Sequence, residues 1–258
     1  MGEEGGLKLW SDAIKASGGD WTIHCPKHVA AVFEGHKVIV DDALELTVTL
    51  RSHVAGDLHQ WVRLLLDGRL AEASSIAESM QRASYDLYVT RDLEEAKRYV
   101  RARYEGEEDK RFGLLGSSKA KNLPTYGMNT SFQATRGFRP GPWYNDPASS
   151  LKSCCRLIEV ATEFSCQGLE LDFPIVGWDT DLLWSGKDWV TSAGRSKAHD
   201  ARQLRLNSYR VLLTRGRDGT VIFVPPLADL DATYAAFLSA GCRLLRRHIT
   251  LSAARKSP

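Results

Sequence analysis

Short β-branched runs that pass directly into amphipathic helical stretches recur along this chain, and that alternation constrains its fold more than any other feature. ELTVTLRSH, Glu45 to His53, runs into a stretch with Leu58, Trp61, Val62, Leu65 and Leu66 at helical spacing. SYDLYVT, Ser84 to Thr90, is followed by RDLEEAKRYVRARY, whose acidic first turn makes Thr90 the expected N-cap. RFGLLG and LIEVATEF read as further strands. A helix through Leu206, Tyr209, Leu212 and Leu213 then leads by a DG turn into TVIFV, and a last helix is expected over 228–244. Strands alternating with helices over so long a stretch predict an α/β fold with a mostly parallel sheet, helices on both faces and right-handed connections.

The 258 residues are 43% apolar, enough for a sizeable core. The formal charge is only +2, without a long run of one sign, which argues against a tail-driven polyanion binder but leaves room for local patches. Five cysteines without a CxxC pair, and an N-terminus without a signal-peptide pattern, point to a reduced, cytoplasmic protein. No stretch approaches the roughly 18–20 apolar residues of a membrane span, so no membrane partner is expected. Residues 1–20 read as a flexible N-terminus, 21–244 as the folded domain with loop insertions at about 123–150 and 177–204, and 245–258 as a basic tail.

Several groupings bear on chemistry. KVIVDD, Lys37 to Asp42, has the outward form of a Walker B strand, but no GxxxxGK[ST] precedes it, so it reads as a structural strand and turn. LLTRGR places Arg215 and Arg217 at i and i+2, on different helical faces, so that one can meet an anion while the other anchors the loop. Arg51 ends another strand. ATEFSCQGLELD holds Glu163, Glu170 and Asp172 around Gly168, where the backbone can approach a ligand. Cys154, Cys155 and Cys166 match no zinc spacing and read as buried thiols; no metal site is expected. Trp143, Tyr144, Trp178, Trp184 and Trp189 lie among Arg136, Arg139, Lys187 and Arg195. That mixture suits either base stacking or packing beneath long loops.

Taken in order, these strings resemble the C-terminal RecA-like half of a superfamily 1 helicase, in the family DUF2075, also described as the Schlafen-type helicase domain. VATEFSCQGLELD, Val160 to Asp172, is similar to helicase motif V, and NSYRVLLTRGR, Asn207 to Arg217, to motif VI; TLRSH resembles motif IV, and GLLGSSKAKNL, Gly113 to Leu123, a family-typical segment. The resemblance spans Trp21 to Pro226 and implies a RecA-like P-loop NTPase fold in its second, Walker-less form. It implies Arg215 as an arginine finger on the γ-phosphate and Arg51 as a second phosphate contact. Glu170 would meet the nucleotide ribose, Gly168 would allow close approach and Arg217 would support the site. Gln167 and Thr162 would couple nucleotide to nucleic acid, while Trp143 and Trp184, from the aromatic mixture and not from the resemblance, are the candidates for contact with a single strand. ATP with Mg is expected only when a Walker-containing first RecA-like domain is supplied upstream or in trans; the other partner class is single-stranded DNA or RNA. The alternative is a non-enzymatic nucleic-acid-binding or protein-interaction module derived from a helicase.

Overall fold

A computed structural model describes residues 6–44, 54–191 and 200–245. The chain divides into two compact units, 1–50 with 196–201, and 51–195 with 202–258. In the first, helix α1 (Leu7–Ser17) ends at Gly18, whose φ of 65° supplies the left-handed C-cap, and strands β1 (Thr22–Cys25) and β2 (Lys37–Val40) pair in parallel around a 3₁₀ turn. KVIV is thus a strand. The helix occupies the segment that reads as a flexible terminus, because LKLWSDAIKAS contains no internal breaker before Gly18.

The larger unit contains a six-stranded, wholly parallel sheet. In chain order its elements are α2 (Ala55–Leu66), α3 (Leu70–Arg82), β3 (Asp86–Thr90), α4 (Leu93–Arg103), β4 (Leu114–Gly116), α5 (Phe132–Thr135), α6 (Pro140–Asn145), β5 (Val160–Ala161) and β6 (Ile175–Gly177). A small antiparallel hairpin follows, β7 (Leu183–Trp184) with β8 (Trp189–Val190), and then α7 (Ala201–Leu213), β9 (Gly219–Phe223), α8 (Asp231–Ser239) and β10 (Arg243–Leu244). The spatial order is β10-β3-β9-β6-β4-β5. The expected strand over 45–53 lies outside the described residues.

Parallel pairing requires crossovers, and their right-handedness fixes the layers. The crossover from β3 through α4 to β4 runs one way along the sheet, whereas those from β6 through α7 to β9 and from β9 through α8 to β10 run the other. The first helix therefore covers one face and the other two the opposite face. On the α7/α8 side, Trp178 stacks on Tyr209 at 3.8 Å between ring centroids and meets Trp189 and Phe237. Their polar ends are satisfied: the indole N–H groups of Trp61, Trp178 and Trp189 donate to the carbonyls of Ala240, Leu182 and Leu65.

Local details differ from the sequence expectations. Asp92, not Thr90, caps α4: its carboxylate accepts from Glu94 and Glu95 N–H, while Thr90 belongs to the strand. The expected helix over 228–244 is a 3₁₀ turn followed by α8, because Gly241, with φ of 88°, breaks it and releases β10. The first part of the loop insertion expected at about 177–204 enters the core, with Trp178 and Trp189 both fully buried. Gly219 sits where β9 passes between β3 and β6, and a Cβ there would collide with the Phe173 ring and the Asp86 carbonyl oxygen. Gly219→Ala should therefore destabilise the domain by about 2 kcal/mol, read as a lower urea midpoint.

Candidate functional site

The connection leaving β4 runs outward to β5, and the one leaving β6 runs back toward β9. Where neighbouring strands send their chains in opposite directions, an open α/β sheet leaves a crevice beyond its strand ends. Here the strand ends carry Ser117 and Ser118 after β4, Thr162 and Glu163 after β5, and Asp179 and Asp181 after β6.

A buried polar network fills the inner part of that crevice. Glu163, 4% exposed, accepts from the N–H and Oγ of Ser118 at 2.8 Å each and from Ser208 Oγ at 3.2 Å. Asp181 accepts from Ser117 Oγ and Tyr209 OH, each at 2.6 Å. Arg205 of α7 reaches between the two carboxylates, with Nη1 3.5 Å from Glu163 and 3.6 Å from Asp181, and donates to Ser117 Oγ at 3.0 Å. Asp179, fully buried, accepts from Asn122 N and Nδ2 at 2.6 and 2.8 Å and so pins the chain after β4. Burial raises the Asp181 carboxyl above its ordinary range despite its donors, and raises Tyr209 well above the ordinary phenol.

Outside this network, a groove of about 550 Å³ opens over the ends of β4 and β5. It is lined by Ser118, Thr130, Thr135, Thr162 and Ser165, the cations Lys119 and Arg136, and the rings of Phe132 and Phe164. Phe132 is 74% and Phe164 55% exposed, so both present ring faces to solvent. Neither ring stands out in the sequence, because an isolated phenylalanine is by default a core residue and only the neighbouring Arg136 hints at a surface role.

The two long strings come together at the opposite edge of the sheet, just before β6 and β9 begin. The segment after β5 returns so that β6 can start, and Leu171 bridges in parallel to Gly216; Leu171 N–H donates to Arg215 O at 2.8 Å, and Arg217 N–H to Leu171 O at 2.9 Å. Glu170 is thereby brought beside Arg217, whose Nε lies 3.0 Å from its carboxylate. Arg215 is 8% exposed, and its guanidinium donates to Val211 O, Leu169 O and Thr214 Oγ1. Gly168, with φ of 78°, makes the left-handed turn that joins the string, and Gln167 beside it is exposed. Thr162 is buried, its N–H donating to Ser165 Oγ at 2.8 Å at the groove wall. Within this string Cys166 is buried, and burial pushes its thiol up to about 12, with Arg215 pulling it down and Glu163 up.

Two expected positions fall elsewhere. Trp143 is 1% exposed, its ring against Gly113 and Cys154 and its N–H donating to Glu159 O, so it packs the core and offers no face to a base. Trp184 is half-buried against Trp189 and Gly68, away from the groove. Arg51 lies outside the described residues. Glu170 and Asp172 do not act as a pair, since Asp172 accepts from Arg111 N–H at 2.7 Å while Glu170 faces Arg217. All five cysteines are buried and free, and among the described residues no group of three or more His, Cys, Asp or Glu could hold a metal. No helix among them is long and apolar enough to cross a membrane.

A mostly parallel α/β sheet flanked by helices, with a polar site at its strand ends, is consistent with the RecA-like class in general terms. The chain matches the family described as Schlafen group 3, DNA/RNA helicase domain, over residues 3–226, and belongs to that family. No curated protein and no solved structure matches it.

The raised Asp181 carboxyl has a signed consequence. Just above the unfolded aspartate value of 3.8, the folded chain retains a proton that the unfolded chain has released, so this group makes stability fall as pH rises through that window. Asp181→Asn should flatten the fall, measured as urea midpoints at successive pH values for both proteins.

Proposed function

We propose that this chain is the second, C-terminal-type RecA-like half of a superfamily 1 helicase, and that it binds single-stranded DNA or RNA in the groove over β4 and β5. The observation that carries the reading is the groove's composition: two exposed rings for stacking and two cations for phosphates, around Thr162 of the motif V-like string. Stacking on Phe132 and Phe164 is tolerant of base identity, as a strand-tracking surface requires. The near-neutral total charge is no obstacle, because the contacts are local.

The same reading gives the motif strings their roles. Arg215 is the finger for a γ-phosphate, Glu170 the ribose contact, and Arg217 the residue that orients Glu170. Gln167 and Thr162 join the two functions through one short segment. The residues present fit only part of a nucleotide: cations for a phosphate tail and a carboxylate for a sugar, without a phosphate-cradling loop or a metal-ligating cluster among the described residues. ATP with Mg therefore belongs to a composite site with a Walker-containing domain. Arg215 would have to exchange its hydrogen bonds to Val211, Leu169 and Thr214 for phosphate contacts when that site assembles. That engaged guanidinium also favours a second reading, in which the chain binds nucleic acid without any nucleotide chemistry.

Fluorescence anisotropy with a labelled single-stranded oligonucleotide tests the groove. Affinity should fall with salt, Phe164→Ala should weaken it about tenfold, and Arg136→Gln should reduce the salt slope by about 0.7; binding indifferent to both substitutions would remove the proposal. The purified chain should show negligible ATP turnover with or without single strands. Sustained turnover that Arg215→Ala leaves intact would overturn the composite-site reading.

A further inference from the structure

At the opposite ends of the same two strands lies a second pocket, of about 640 Å³, which the motif strings do not touch. Phe112, just before β4, and Leu157 and Ile158, just before β5, give it an apolar floor; Lys97 and Arg101 of α4 and Arg156 of the Ser153–Leu157 turn give it a cationic rim without a lining carboxylate. Glu94 takes part of the Lys97 charge from outside, at 2.9 Å, and Arg101 Nη2 donates to Arg156 O at 3.1 Å, which holds the two elements together. Into this pocket faces Cys155. Its sulfur lies 3.9 Å from that of Cys154, which is buried behind it.

We propose that this pocket is a reversible modification site, in which Cys155 exchanges with an anionic low-molecular-mass disulfide. Three cations attract the reagent's carboxylates, the apolar floor receives its carbon chain, and a sulfur waits at the base. The Cys155 thiolate attacks one sulfur of the reagent. A new S–S bond forms to Cys155 while the reagent's own S–S bond breaks, and the departing half leaves as a thiolate that takes up the proton Cys155 released. Cys155 is oxidised and the departing half reduced, with no other reactant needed.

The neighbouring thiol assists the first step and does not complete a second. Donation from the Cys154 S–H lowers Cys155 below the ordinary thiol range, as does the Phe112 N–H, while burial and the Cys155 contact to Lys110 O at 3.4 Å oppose ionisation. Closure of a Cys154–Cys155 ring is disfavoured, because adjacent Cα atoms stand about 3.8 Å apart and ordinary disulfides need about 4.4 Å or more. The mixed disulfide is thus the persistent product. None of the other cysteines lines this pocket, and burial raises Cys166 and Cys242 out of the reactive range.

The test treats the full chain at neutral pH with glutathione disulfide, which is anionic, and separately with 2-hydroxyethyl disulfide, which is neutral, followed by intact mass and peptide mapping. One glutathionyl adduct is expected on Cys155, absent in Cys155→Ser. Lys97→Gln combined with Arg156→Gln should slow the anionic reagent about threefold or more and leave the neutral one unchanged, with urea midpoints confirming that both variants fold. The proposal is overturned by an adduct on another cysteine, by a charge-independent rate, by a Cys154–Cys155 disulfide in place of the adduct, or by no adduct where the urea-unfolded chain reacts.

Discussion

The guanidinium of Arg205 holds the carboxyl edge of this sheet together. Two buried carboxylates, Glu163 after β5 and Asp181 after β6, would repel one another across the crevice without a cation between them. By standing there, Arg205 anchors α7 to three strand ends at once, since Ser208 and Tyr209 bind the same two carboxylates one turn later. Removal of that one cation would leave two buried negative charges facing each other, which is why the site depends on it more than on any single apolar contact.

That anchoring has a consequence for how the two halves of the site relate. The helix gripped at Arg205 and Tyr209 ends at Leu213, two residues before Arg215, and the segment that begins at the groove with Thr162 ends at Glu170 and Leu171, bonded to Arg215 and Arg217. Groove and motif strings are thus joined twice, by a helix and by a short loop, around one buried thiol.

Much of the framework was legible because it rests on local periodicity. The α/β class, the parallel sheet, and the positions of β3, β4, β9, α2, α4 and α7 follow from alternation and apolar spacing. The two long strings were legible as strings because their order and wording resemble a helicase family to which the chain belongs. Composition left two readings open at the aromatic positions. Tryptophans among arginines suit either stacking or packing; Trp143, Trp178 and Trp189 supply core volume, and the exposed rings beside the strand ends are Phe132 and Phe164. Burial depends on which elements close over a side chain, and a one-dimensional pattern in a loop-rich stretch does not carry that.

The sequence by itself determined which residues could carry charge and hydroxyls to a site: Glu163, Glu170, Arg205, Arg215 and Arg217 are fixed by their types, and the strand and helix periods fix the elements that bear them. Only the tertiary structure decided which of them meet. Asp179 and Asp181 fall in the loop insertion expected at about 177–204, and become buried acceptors because the parallel sheet puts the end of β6 beside the end of β4, some sixty residues earlier in the chain. Arg217 pairs with Glu170 across forty-seven positions for the same reason. Parallel pairing forces long crossovers, so neighbours at the strand ends come from distant segments, and their encounter is a property of the fold and not of any local stretch.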